Sequence, residues 1–144
     1  MIALDTNILV HAHRRDADRH GPAAAAVRGL AEGRQPWGIP AHALIEFGGV
    51  VTHARIFPRP STVAEAWAQV EAWLASPSVR LLGDTVESLA GAYRLLGQAA
   101  ARGPRIHDAR IAAVCLAHGV KELWTIDRDF SAFAPLRTKD PTAR

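Results

Sequence analysis

The sequence has a single cysteine, Cys115, so no intramolecular disulfide can hold it together. Cys115 falls in the apolar run 111–116, where a small buried hydrophobe is the expected role. No stretch approaches the ~20 apolar residues needed to span a bilayer. The opening Met1-Ile2-Ala3-Leu4-Asp5 carries no basic leader and meets a carboxylate at once. A cytoplasmic protein with no membrane partner is the expectation. Lysine occurs only at positions 121 and 139, so the cationic chemistry is almost all arginine. Internal repeats, low-complexity tracts and domain-separating linkers are missing. So is any glycine-rich phosphate loop, which argues against nucleotide-binding enzymes.

What remains is a chain of 144 residues, 49% of them apolar, enough for one core but not for two. A single domain over residues 1–144 is expected. Lysine and arginine total 17 against 14 acidic residues, a net charge of +3 that permits an RNA partner without demanding one.

Short apolar runs alternate with helical patterns. Ile2-Ala3-Leu4 stops at Asp5-Thr6-Asn7, residues that favour turns and helix caps. Helices are expected from Ile8 to His13, Gly21 to Glu32 and Ala41 to Arg55, and from a Ser61 cap to Ala75. Asp84 is the expected cap of a helix ending near Gly103, and His107 to His118 forms another, closed by Gly119. Strands are expected at 37–39, 79–82 and 122–126, with a last edge strand at 136–138. This order specifies an α/β domain, a parallel sheet of about four to five strands with helices on both faces.

Ligands of such a sheet bind beyond the carboxyl ends of its strands. Asp5 and Asp127 stand at two of those ends. Asp108 opens a helix, and Glu46 lies in the helix after the 37–39 strand. Each has a plain alternative: Asp5 as a turn or cap residue, Glu46 on an exposed stripe with Gly49 and His53, Asp108 stabilised by the helix dipole, Asp127 and Asp129 as solvated turn residues. Together they are harder to dismiss. Two carboxylates ~5 Å apart repel by ~3 kcal/mol at an effective dielectric of about 20, a large share of a domain's ~5–15 kcal/mol stability. Protonation or a counter-cation must relieve such crowding. Oxygen donors without clustered cysteine favour Mg²⁺ or Mn²⁺ over zinc, and His11 and His13, two apart, point to different sides of a helix.

The motifs resemble those of PIN-domain nucleases. Leu4-Asp5-Thr6-Asn7-Ile8-Leu9-Val10, Ile45-Glu46-Phe47, the segment 106–113 around Asp108, and the segment 123–130 around Asp127 match the acidic motifs of that family in order. The likeness extends over essentially the whole chain and is closest to the VapC toxins of toxin–antitoxin systems. It implies a PIN-like fold and a metal-dependent endoribonuclease whose Mg²⁺ or Mn²⁺ is held by Asp5, Glu46, Asp108 and Asp127. Asn7 and Thr125 would orient those ligands, with Asp129 assisting. It also implies a homodimer, a VapB-like antitoxin joined in a hetero-oligomer, and tRNA or ribosomal RNA as substrate.

Arg14, Arg15, Arg105, Arg110 and Arg128 lie near the motifs and are candidate RNA contacts. Many relatives carry Gly-Asn before the third motif, whereas this chain has Gly103-Pro104-Arg105-Ile106, which leaves RNA contact there open. The Trp67/Trp73 helix offers either core packing or a partner groove. The alternative within the family is a housekeeping RNA-processing nuclease without an antitoxin. A phosphoaspartate enzyme of the haloacid-dehalogenase type would want Asp, not Asn, at position 7.

Overall fold

The computed structural model describes every residue, Met1–Arg144. Five strands form one sheet: β1 (Ile2–Leu4), β2 (Trp37–Pro40), β3 (Val79–Leu82), β4 (Glu122–Trp124) and β5 (Arg137–Lys139). Their order is β3-β2-β1-β4-β5, and every pairing is parallel. Between them run α1 (Thr6–His13), α2 (His20–Glu32), α3 (Ala41–Val51), α4 (Val63–Leu74), α5 (Val86–Gln98) and α6 (Ile106–Ala117).

The chain leaves β1 in one direction to build β2 and β3, then crosses back to place β4 on the other side of β1. Right-handed crossovers therefore put α1 to α4 on one face and α5 with α6 on the other. The packing agrees: α1 touches α2 and α3, α3 touches α4, and α5 lies along α6. Ala3, Leu4, Trp37, Ile39 and Leu123 from the central strands are fully buried, packed with Ile8, Phe47, Ile111 and Cys115 from the helices. Cys115 is thus the apolar filler its neighbours foretold, and burial pushes its thiol pKa above the usual range. No helix is long and apolar enough to cross a membrane.

Several boundaries differ from the sequence reading. α3 ends at Val51, with Thr52 as its cap residue, rather than at Arg55. Thr62, not Ser61, caps α4: its hydroxyl accepts from the Glu65 amide while the Glu65 carboxylate accepts from the Thr62 amide. Ser61 instead contacts His13 and Arg14. Thr85, not Asp84, caps α5, in a reciprocal pair with Ser88. β4 stops at Trp124, because the next residues turn into the site described below. Gly119 does close α6, at φ +77°, a conformation that costs glycine little.

Candidate active site

Register brings the first two carboxylates together. Leu4 pairs with Trp124, so Asp5 and Thr125 leave β1 and β4 side by side at the carboxyl rim, where the strand order reverses. Asp5 caps α1 by accepting the Thr6 amide on Oδ1 at 2.7 Å. Its Oδ2 accepts the Thr125 hydroxyl at 2.7 Å and the Asn7 amide at 3.1 Å. Asp5 is thus the helix cap, and the same side chain faces the cleft.

The supporting network is closed. Asn7 donates its second proton to Thr125 Oγ1 at 3.0 Å and accepts the Ile126 amide on Oδ1 at 3.1 Å. Thr125 Oγ1 also accepts the Asp127 amide at 3.0 Å. The Asp129 amide, in turn, donates to Asp127 Oδ1 at 2.8 Å. Asn7 and Thr125 thereby fix Asp5 to the turn that carries Asp127, while Asp129 contributes its backbone amide to Asp127 and its charge to the field at Asp108.

Asp5, Glu46, Asp108 and Asp127 line one cleft of about 280 Å³, with Thr6, Asn7, Val10, His11, Val50 and Phe130 completing its wall. Each carboxylate comes from a different element. Asp5 follows β1, Glu46 is in the second turn of α3, Asp108 is in the first turn of α6, and Asp127 follows β4.

Asp5, Glu46 and Asp108 feel their crowding. Asp5 is 4% exposed, and burial raises its pKa from 3.8 to about 6 against the lowering effect of its hydrogen bonds. Asp108 and Glu46 push it further in the same direction. Partial burial, then the charge of Asp127, raises Asp108, opposed by Arg105. Glu46 is raised by burial and then by Asp108. Desolvated carboxylates that repel one another are a site for positive charge.

No three of these carboxylates, with or without a histidine, are gathered tightly enough to enclose an ion by themselves. A hard cation such as Mg²⁺ keeps several waters and takes one or two carboxylates, so it does not require such a cluster. The donor set fits: all four acids offer oxygen, the one cysteine is buried in the core, and Glu46 Oε1 is a buried oxygen without an aligned hydrogen-bond partner.

The PIN domain profile matches residues 2–135, nearly the whole chain. The chain belongs to the PIN-domain family. Within that family it groups with the VapC ribonucleases. It is 34% identical over 141 residues to VapC ribonuclease Mb2897 of Mycobacterium bovis, covering 98% of this chain and 95% of that protein. It is also 34% identical over 137 residues to ribonuclease VapC31 of Mycobacterium tuberculosis, covering 95% and 96%. Among solved structures, the VapC20 toxin of Mycobacterium tuberculosis, described as cleaving the sarcin-ricin loop, superposes with TM-score 0.69 at 25% identity, over 95% of this chain and 99% of that one. FitAcB of Neisseria gonorrhoeae shares the fold at TM-score 0.69 and 21% identity, over 98% of each chain.

The PIN-domain cleft also has neighbours that the sequence reading did not single out. His42 Nε2 lies 2.8 Å from Glu46 Oε1, one helical turn away, and His42 stacks on His107 at 5.3 Å between ring centroids. The i, i+4 spacing of His42 and Glu46 was the available signal. Among the candidate RNA contacts, Arg110 is bound to Asp84 and His42, and Arg14 to Asp16 and Ser61, with its guanidinium over the Phe57 ring. Arg105 donates to the Asp129 carbonyl and stands 3.7 Å from Asp108. Arg15 and Arg128 are exposed and make no ion pair.

Proposed function

We propose that this chain is a Mg²⁺- or Mn²⁺-dependent endoribonuclease acting as the toxin of a VapBC-type pair. The observation that carries the reading is the convergence of Asp5, Glu46, Asp108 and Asp127, distant in sequence, on one cleft at the sheet's switch point. The VapC relatives at 34% identity supply the reaction class.

Asp5 and Asp108 are the first choices for direct ligands, and Glu46 and Asp127 act through water or orient the attacking water. When bound, the cation neutralises phosphate charge and makes water a better nucleophile near neutral pH. The protein's own share is positional. Thr6, Asn7 and Thr125 fix Asp5 by three hydrogen bonds. Outer contacts of this kind tune ligand orientation and basicity. No side chain is needed as a covalent nucleophile. Val10, Val50 and Phe130 in the wall limit water on the apolar side of the cleft.

The RNA backbone would run from this cleft along α1. Beyond the last turn of α1 lies a cavity of about 710 Å³ lined by Arg14, Arg15, Arg28 and Arg59, with Asp16 and Glu65 opposing. An accessible loop of tRNA or ribosomal RNA is the substrate class that fits an open cleft. The partners we propose are a second copy of the chain and a VapB-like antitoxin. Solved structures of the same fold include VapBC2 of Rickettsia felis bound to promoter DNA and VapBC-1 of nontypeable Haemophilus influenzae. The cytoplasm is the proposed location.

A 5′-labelled RNA tests the reading. Cleavage should require Mg²⁺ or Mn²⁺, stop with EDTA, and fall at least ~100-fold in Asp5→Asn. Cleavage that survives EDTA, or is untouched in Asp5→Asn, overturns it.

A further inference from the structure

Beside the acidic cleft lies a polar chain that crosses three elements: Asp84 after β3, Arg110 on α6, and His42 with Glu46 on α3. We propose that Arg110 is a positioning residue that fixes the tautomer of His42, so that the His42 Nε2–H faces Glu46 and sets the attitude of that carboxylate in the cleft. This rests on the reading of Glu46 as part of a cation-dependent nuclease site.

Counting protons fixes the tautomer. A guanidinium donates and never accepts. Arg110 Nη1 is 2.8 Å from His42 Nδ1, so Nδ1 must be the ring's acceptor and carries no proton. A neutral imidazole then has its one proton on Nε2. Nε2 is the atom 2.8 Å from Glu46 Oε1. A bare Nε2 lone pair at that distance from a carboxylate oxygen would be repulsive, so both contacts demand the same tautomer. The N–H is not yet in line with Oε1, and both atoms are buried without an aligned partner. A small turn of the Glu46 carboxylate would bring the two into line and leave its other oxygen free for the cleft.

Arg110 is itself held. Its Nε and Nη2 bind the two oxygens of Asp84, in the paired geometry that carboxylates and guanidinium share. His107 stacks on the His42 ring and limits its rotation. The residues closest to Glu46 thus form a braced series in which a surface ion pair dictates where one ring proton sits. A mere staple between α6 and the loop after β3 would need Asp84 and Arg110 but not His42.

Two measurements decide between these. Long-range nitrogen–proton correlation spectra of the metal-free protein at pH 8, with histidine labelled and His42→Gln supplying the assignment, read the tautomer directly. The result expected is a protonated Nε2 and a bare Nδ1; a protonated Nδ1 overturns the proposal. Calorimetric titration with Mn²⁺ reads the consequence. His42→Ala should weaken Mn²⁺ binding ~10-fold, in the range seen when an outer contact of a metal ligand is removed. His42→Gln, which can present an N–H near the Nε2 position, should restore most of the affinity, and His42→Asn, which cannot reach, should not. In a Glu46→Gln background His42→Ala should add nothing. Equal Mn²⁺ affinity in wild type and His42→Ala, or Gln no better than Ala, overturns the proposal. Failure of wild type itself to bind Mn²⁺ overturns the nuclease reading instead, and the spectra still report on His42.

Discussion

Asp5 shows how a cleft carboxylate is held at a cost to the fold. It is almost fully buried, its two oxygens accept three hydrogen bonds, and its pKa still rises to about 6. Burial outweighs the bonds. A carboxyl group with a higher pKa in the folded chain than in the unfolded one binds its proton more tightly when folded. Its stabilising contribution is therefore complete below about pH 3.8 and is lost as the pH rises through about 6. In metal-free protein the loss is on the order of 3 kcal/mol by pH 7.5. Carboxylates with lowered pKa, such as Asp84 beside Arg110, work in the opposite direction, so the whole-protein profile mixes both. The difference between wild type and Asp5→Asn isolates the one group. Denaturant unfolding in EDTA should show that difference moving in the variant's favour by about 2–3 kcal/mol between pH 4 and pH 7.5. A difference independent of pH would contradict the burial account.

Elements bring such residues together, and here the sequence was informative to different depths. Asp5 and Asp127 were legible because each ends an apolar strand, and a parallel sheet exposes strand ends on one rim. Glu46 and Asp108 were legible only as motif positions, since helix periodicity does not say how far a side chain reaches. The bridge from Asp84 to Arg110 spans 26 residues and depends on how α5 and α6 pack, which no local pattern encodes. The two helix caps were misplaced by one residue because Ser61-Thr62 and Asp84-Thr85 each offer two adjacent candidates. Glu65 three places after Thr62 marks the right one. Of the Trp67/Trp73 pair, Trp73 packs in the core at 6% exposed, whereas Trp67 is 57% exposed. Thr62→Ala should lower stability by ~1 kcal/mol through loss of the α4 cap, read from the midpoint of urea unfolding. Unchanged stability in that variant would show that packing, not the cap, sets where α4 begins.

At the scale of the molecule, the chain leaves apolar surface uncovered. A groove of about 580 Å³ between α3 and α4 is lined by Leu44, Ile45, Val63, Trp67 and Leu81, and Val86, Leu89 and Tyr93 protrude from α5. Monomeric proteins seldom leave large apolar patches open to water. Light scattering of the isolated chain should therefore give about twice its 15.5 kDa mass. A monomer at micromolar concentration would contradict the proposed homodimer.

The proposed function turns on a cleft whose crowded acidic groups call for a cation or for protons. Calorimetric titration of the purified chain with Mn²⁺ at pH 7.5, beside Asp5→Asn and Asp108→Asn, asks for that cation directly. The account predicts saturable binding by wild type, with protons released as the raised carboxyls ionise, and at least ~10-fold weaker binding by either variant. Wild type that takes up no Mn²⁺, or variants that bind it equally well, would contradict it.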